Sequence, residues 1–175
     1  MKAGVLLRRF LLPAPVVSII CLIRFKARVS PRAEVELSPN LKLGKGSQIA
    51  SFCKVKASEG RLEIGSNSHL ATGCFLAGMR GGLTVGDNVL VGPNCTILSN
   101  KYTFDDISRP IHEQGHTSSG TRIGNNVLLG AGVVVLDGAD IGDGVIVSPN
   151  SVVSGRIPPN TVILGNPARV VFRRR

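Results

Sequence analysis

The stretch Ile123-Gly-Asn-Asn-Val-Leu-Leu129-Gly-Ala-Gly-Val-Val-Val135-Leu-Asp-Gly-Ala-Asp-Ile141-Gly-Asp-Gly-Val-Ile-Val147-Ser-Pro-Asn-Ser-Val-Val153 sets an aliphatic residue at every sixth position. A helix repeats its apolar face about every 3.6 residues and a strand every two, so a period of six is neither alone. It fits a chain that turns a corner after each short strand. The same register occurs upstream at Leu43, Ile49 and Val55, at Ile64, Leu70 and Leu76, and at Val85, Val91 and Ile97. All fifteen opening positions are Val, Ile or Leu. Glycine follows the first opener of each group, at 44, 65, 86, 124 and 142. The fifth place of the first two hexads is small or β-branched: Ser47, Cys53, Ser68, Cys74, Val89, Cys95, Val127, Val133, Val145 and Ser151.

Three hexads make an 18-residue triangular coil. Its opener points inward, the small residue packs beside it, and Gly, Asn and Asp take the corners. One coil cannot bury its inner face, so coils must stack at about 4.8 Å. The 21-residue steps from Leu43 to Ile64 to Val85 predict three extra residues per coil, near 58–62 and 79–83. The step from Val85 to Ile123 is 38, which is one coil plus a 20-residue loop at about 99–120. A long loop in so regular a stack points to function.

Composition agrees with one folded domain of 175 residues. With 43% hydrophobic and 18% charged residues the chain is not disordered. Aromatics at 4% require an aliphatic core, and 21 glycines without a Gly-X-Y period exclude collagen. The net charge of +10 is terminal. Lys2, Arg8, Arg9, Arg24, Lys26, Arg28 and Arg32 precede the first acid, Glu34, and Arg173, Arg174 and Arg175 close the chain. Between them acids and bases balance, with no aromatic-lined basic stripe, so a nucleic-acid partner is not expected. Cys53, Cys74 and Cys95 stand 21 apart, a spacing that predicts stacked, buried, free thiols and matches no metal-ligand pattern.

Residues 10–23 form an uncharged run of 14, short of the roughly 20 that a spanning helix needs. The run has the basic flank of a signal peptide, but no small-x-small cleavage site follows. Pro13 and Pro15 prevent one continuous helix through it. Two uses stay open: packing on the prism or a neighbouring subunit, or peripheral contact with an anionic membrane.

The run from Thr121 onward, closing in Ile157-Pro-Pro-Asn160 and Gly165-Asn-Pro-Ala-Arg169, resembles the hexapeptide-repeat (isoleucine patch) acyltransferase family. The branch it is similar to holds the maltose/galactoside and polysaccharide O-acetyltransferases, over about residues 43–172. The resemblance implies an all-β fold, a left-handed parallel β-helix or hexapeptide-repeat prism. A basic, apolar N-terminal segment at 1–30, irregular or shortly helical, would precede the domain at 31–172, and a basic tail at 173–175 would follow. It further implies a homotrimer, with acetyl-CoA as co-substrate in a groove between two prisms and no metal. Family contacts carry onto the backbone of Ala131 and Pro149, and onto Ser154 and Arg169, with Arg173 extending the cationic field. Where the family often has Trp, Leu128 stands here.

Members of that family deprotonate the acceptor with a histidine at the start of the long loop. Here the loop opens Ser99-Asn100-Lys101-Tyr102-Thr103-Phe104-Asp105-Asp106, so Asn100 and Tyr102 hold the histidine positions. The later Arg109-Pro-Ile-His112-Glu-Gln-Gly115 still resembles the family's loop ending. A phenol with a pKa near about 10 is a poor base, so Tyr102 is expected to position the acceptor or bond the thioester oxygen. His112 and His116 are the candidate bases, and Thr72, Asn100 and Asp105 the candidate acceptor contacts. His69 is expected to be structural, and three histidines of which two share one loop make a poor zinc site. The implied function is acetyl-CoA-dependent O-acetylation of a saccharide or polysaccharide precursor. The alternatives are N-acetylation of an amino sugar, whose amine needs less help, and a catalytically silent trimeric scaffold. Acetyl-CoA use and free cysteines imply the cytoplasm, or the inner face of the membrane.

Overall fold

The computed structural model describes residues 12–175. Its body is a three-faced parallel β-solenoid in which every strand is two or three residues long until the last coil. The first face runs Arg28–Val29, Gln48–Ile49, His69–Leu70, Leu90–Val91, Leu128–Leu129, Ile146–Val147 and Thr161–Gly165. The second holds Glu34–Val35, Lys54–Lys56, Phe75–Ala77, Thr96–Leu98, Val134–Val135 and Val152–Val153. The third holds Leu41–Leu43, Leu62–Ile64, Leu83–Val85, Thr121–Ile123, Asp140–Ile141 and Arg156–Ile157. The ladders continue across the long insertion in register: Leu90 pairs with Leu128, Thr96 with Val134, and Val85 with Ile123.

All fifteen hexad openers are buried, and so are all ten small residues in the fifth places. The stack is longer than the hexad count predicts. Arg28 pairs with Gln48 and Glu34 with Lys54, a step of 20 rather than 21. At the other end Asp140 pairs with Arg156, a step of 16. These uneven corners break the period, which is why the end coils escape a fixed register. The first ladder strand, Arg28–Val29, lies ahead of the boundary expected at residue 31.

The five glycines after the openers serve a purpose other than the expected corner one. A Cβ on Gly44 would sit 2.3 Å from the backbone nitrogen of Ser66, and one on Gly65 2.4 Å from the carbonyl carbon of Gly86. They are close-approach positions, where each coil lies against the next. The left-handed corner itself falls two residues later, on Gly46, Asn67, Asn88, Asn126 and Gly144.

A helix covers one end of the stack, and a returning strand covers the edge of the first face at the other. The helix Ala14–Phe25 starts with Pro15 in its first turn, where a missing N–H costs nothing. It ends where the N–H of left-handed Lys26 bonds the Leu22 carbonyl at 3.1 Å. Val17 and Cys21 face inward, and the helix touches the first strand of each of the three faces, so it lies across the mouth of the stack. At the far end Ala168–Arg173 folds back antiparallel on Thr161–Gly165. Such covers shield edges that would otherwise pair with other chains. No described helix is long and apolar enough to cross a membrane.

Candidate active site

The insertion at 99–120 leaves the second face and rejoins the third, so it is rooted at the corner between them. Its root is bonded to the stack. The buried Ser99 hydroxyl donates to the Ala77 carbonyl at 3.0 Å and accepts the Met79 N–H at 2.8 Å. The Asp137 carboxylate accepts the N–H groups of Ser119 at 3.0 Å and Gly120 at 3.1 Å. Ser118 donates to the Ser99 carbonyl, closing the two ends on each other.

Above this root the strands Lys101–Tyr102 and His116–Thr117 form an antiparallel ladder. Tyr102 stands directly opposite His116, ring centroids 6.4 Å apart and planes at 71°. Both side chains are exposed. Beyond the ladder Gln114 ties the loop together. Its Nε2 donates to the carbonyls of Asp106 at 2.8 Å and Arg109 at 2.9 Å, while its Oε1 accepts the Asp106 N–H at 3.0 Å. The Ser108 hydroxyl and N–H hold the Asp106 carboxyl below the usual carboxylate range. His112 sits in the short turn Ile111–Glu113, its Nε2 3.7 Å from Glu113 Oε1. Asn100 is half-buried next to the ladder, and Asp105 is exposed.

The expected acyl-donor contacts other than Ser154, and the expected acceptor contact Thr72, lie elsewhere on the prism. Thr72, Pro93, Ala131 and Pro149 stack at the corner between the first and second faces. Asn94 N–H bonds the Thr72 carbonyl, Gly132 N–H that of Pro93, and Asn150 N–H that of Ala131, each at 2.9 Å. All four stacked residues are exposed. The turn after Thr161–Gly165 comes down at this corner, where Gly165 N–H donates to Ser151 Oγ at 3.1 Å. Arg169 follows, opposite Leu164. Arg173 stands at the other end of that strand, opposite Thr161. Its neighbour Arg174 donates to the Gly144 carbonyl at 2.6 Å. Ser154 lies at the loop's corner, five residues past Pro149 and across the second face from it.

One prism therefore gathers Asn100, Tyr102, Asp105, His112 and His116 on the loop, and Thr72, Ala131, Pro149 and Arg169 at a different corner. The residues that fix the loop, Gln114, Asp137 and Ser118, were not picked out from the sequence. Gln114 alone had a signal, since it lies in the run Pro110-Ile-His-Glu-Gln-Gly115. The faces also differ. The third carries ion pairs outward, Lys42 with Glu63 at 2.8 Å and Arg122 with Asp140 at 2.9 Å. The first carries Leu90, Leu128, Ile146 and Val162 in register, and the second Phe75, Val134 and Val152. His69 is exposed on the first face, and among the described residues no three His, Cys, Asp or Glu side chains gather as a metal site.

Residues 120–155 match the bacterial transferase hexapeptide family (six repeats), and residues 82–99 the hexapeptide repeat of succinyl-transferase. These matches identify the coils on both sides of the long loop as hexapeptide repeats of the bacterial transferase type. The chain is 39% identical over 83 residues to galactoside O-acetyltransferase of Escherichia coli K12, covering 47% of this chain and 39% of that protein. It is 56% identical over 54 residues to WbbJ of the same strain, which carries the name of an O-acetyl transferase of lipopolysaccharide biosynthesis. That match covers 31% of this chain and 28% of WbbJ. The chain thus spans less than half the length of these curated relatives. Among solved structures, AntD, an N-acyltransferase from Bacillus cereus crystallised with dTDP and coenzyme A, superposes with a TM-score of 0.77. The match covers 90% of this chain and 88% of AntD at 21% identity, a likeness of fold.

Proposed function

We propose that this hexapeptide-repeat chain transfers the acetyl group of acetyl-CoA to a hydroxyl of a saccharide or polysaccharide precursor. The observation that carries this reading is the His116–Tyr102 pair, held on a rooted hairpin at the edge of the prism. His116 takes the proton of the acceptor hydroxyl as its oxygen attacks the thioester carbonyl carbon. The carbon–sulfur bond then breaks, and the imidazolium returns the proton to the departing thiolate. Tyr102 hydrogen-bonds the acceptor or the thioester oxygen, and holding both reactants in one groove supplies much of the rate. His112 is the second candidate base. Asn100, Asp105 and Thr72 hold the acceptor. The exposed corner at Ala131 and Pro149 suits the amide-rich arm of CoA, while Ser154 stands at the loop's corner. Arg169, and Arg173 farther along the strand, suit its phosphates.

The two halves of this site lie on different corners of one prism, so a neighbouring prism is needed to bring them together. We therefore assign a homotrimer, closed through the later coils of the first and second faces, whose outward residues are mostly apolar, with the third face in water. The named O-acetyltransferase relatives support hydroxyl transfer. AntD, an N-acyltransferase, supports the second reading, transfer to an amino sugar. All four cysteines are free, which suits the cytoplasm, where acetyl-CoA is present. A peripheral contact of the N-terminal segment with the inner membrane face completes the proposal.

Calorimetric titration of acetyl-CoA into the purified protein tests the reading. Saturable binding near one site per chain supports it, and an acceptor panel then separates hydroxyl from amine transfer. No binding at millimolar acetyl-CoA overturns it in favour of the silent scaffold.

A further inference from the structure

The helix Ala14–Phe25 is apolar on two opposite sides, and only one of them is used by the fold. Val17 and Cys21 face the stack. Pro15, Val16, Ile19, Leu22 and Ile23 lie on the opposite stripe at helical spacing, and all are exposed. Exposure reaches 56% at Ile19, 54% at Leu22 and 76% at Ile23. Because the helix crosses the mouth of the solenoid, this stripe points along the stack axis, away from the body.

Cations stand on the rim below the stripe: Arg24 is exposed at the helix end on the side that meets Leu37, Ser38 and Pro39, and Lys26, Arg28 and Arg32 are exposed on the first coil. Lys26 and Arg32 stand at two of its corners, where their carbonyls accept the N–H groups of Gly46 at 2.9 Å and Phe52 at 3.0 Å. The acids of this coil do not oppose them. Glu34 pairs with Lys54 at 3.4 Å, and Glu36 is buried, accepting the N–H groups of Ala57 and Ser58. An apolar stripe above a cationic rim, with no facing acid among the described residues, is complementary to an anionic lipid surface: aliphatic side chains enter the headgroup boundary while guanidinium and ammonium groups meet phosphates.

We propose that this end of the prism docks on an anionic membrane, and that the acceptor is an extended glycan held there by a lipid anchor. The acceptor half rests on the acetyl-transfer reading above. It follows from height. The loop leaves the second face at its fourth strand, three steps of about 4.8 Å above the first coil. With a helix about 10 Å thick beneath, the Tyr102–His116 ladder stands roughly 25 Å from the lipid plane. A sugar attached directly to a lipid head lies too low to reach it. A free sugar gains nothing from docking. A lipid-borne glycan of several units both reaches the loop and is concentrated there.

The test uses the full chain. Flotation with phosphatidylcholine vesicles, with and without phosphatidylglycerol, reads docking. The expected result is binding to the anionic vesicles only, weakened about tenfold or more by Ile19→Ser/Ile23→Ser and by Arg24→Ser/Lys26→Ser. Acetyl-CoA binding by these variants stays unchanged, which shows that they are folded. Absent binding, equal binding to both vesicles, or binding indifferent to the substitutions overturns docking. So does end-to-end self-association that these substitutions abolish, which would assign the stripe to a second copy. Acetyl transfer is then compared among an alkyl-anchored oligosaccharide, an alkyl-anchored monosaccharide and the free oligosaccharide, all with anionic vesicles. The anchored oligosaccharide is expected to react fastest, with the advantage lost in Ile19→Ser/Ile23→Ser. Equal rates overturn the acceptor half. No transfer to any acceptor, with vesicle binding intact, overturns the acetyl-transfer reading and leaves docking standing.

Discussion

Tyr102 and His116 occupy one cross-strand pair just above the root of the long loop, ring edge to ring face, 6.4 Å between centroids. Fourteen residues separate them in sequence, yet the ladder fixes them as direct neighbours. The imidazole thus stands beside the position where the sequence has Tyr102 in place of the family histidine. On the O-acetyl reading His116→Ala lowers kcat by roughly 10²–10⁴ with acetyl-CoA affinity kept. Tyr102→Phe, which keeps the ring, has the smaller effect. Thiol release from acetyl-CoA at saturating acceptor measures both. A His116→Ala enzyme with unchanged kcat would move the base to His112 or favour an amine acceptor.

Gly44 has no room for a methyl group. A Cβ there would lie 2.3 Å from Ser66 N and 2.5 Å from Gly65 C, both backbone atoms of the next coil. Side chains can rotate away from a clash, but a stacked coil cannot. Gly44→Ala is therefore expected to destabilise the protein by about 1–3 kcal/mol, read as a lower urea midpoint. Gly115→Ala is the comparison, since open space surrounds its Cβ and its left-handed φ of 79° alone is strained.

The solenoid was legible because each hexad repeats one physical demand: an aliphatic residue inward, a small one beside it, and room for the next coil. Leu70, Leu129 and Val147 satisfy it at the same place in different coils, so the period shows through. The end coils were not legible, because Arg28–Val29 and Arg156–Ile157 follow corners of different length that shift the register. The site was legible in part. Its loop announced itself as an interruption, but Tyr102 meets His116 through a ladder with no periodic signature. Asp137 caps Ser119 and Gly120 through space, and nothing in its own hexad marks it for that task.

Cys53, Cys74 and Cys95 each direct a thiol at a carbonyl of the neighbouring coil, those of Ala71, Gly92 and Gly130. Ser151 fills the equivalent place two coils beyond Cys95, also fully buried. A hydroxyl is thus acceptable there, and Cys74→Ser is expected to cost under about 1.5 kcal/mol. Cys74→Leu, which overpacks the same column, should cost about 1–3 kcal/mol. Burial also pushes the Cys21 thiol up to about 11. All four thiols are buried, and burial blocks access even at Cys95, whose pKa the neighbouring Cys74 thiol lowers. At mildly alkaline pH a thiol-specific reagent should therefore leave the native protein unmodified and label all four cysteines once guanidinium unfolds it. Rapid labelling of the native chain would contradict the packing.

Lys42 and Arg61 hold the Glu63 carboxyl below its usual range, with side-chain contacts at 2.8 Å and 2.5 Å. A depressed folded value means that the stabilisation is complete above the unfolded pKa and lost as pH falls through the folded one. Wild type should therefore exceed Glu63→Gln in stability near neutrality, by no more than about 1 kcal/mol because the cations are exposed. The gap should close as pH drops below about 4. Urea midpoints across that range, at low salt, give the comparison, and a gap that persists in acid would assign the difference to packing.

Gln114 makes three hydrogen bonds inside the loop, to Asp106 twice and to Arg109. None of them reaches the stack, whose hold on the loop comes from Ser99, Ser118 and Asp137. Removing Gln114 should therefore free residues 104–113 without loosening the root. Gln114→Ala is expected to speed proteolytic cutting in that segment while the melting temperature stays within about 2 °C, since the loop contributes little to the core. Asp137→Ala releases the root as well and should shift both readouts. If acetyl transfer depends on the ladder alone, Gln114→Ala keeps kcat and raises only the acceptor KM. A matched fall in kcat would mean that the outer loop, with His112 and Asp105, takes part in holding the reacting groups.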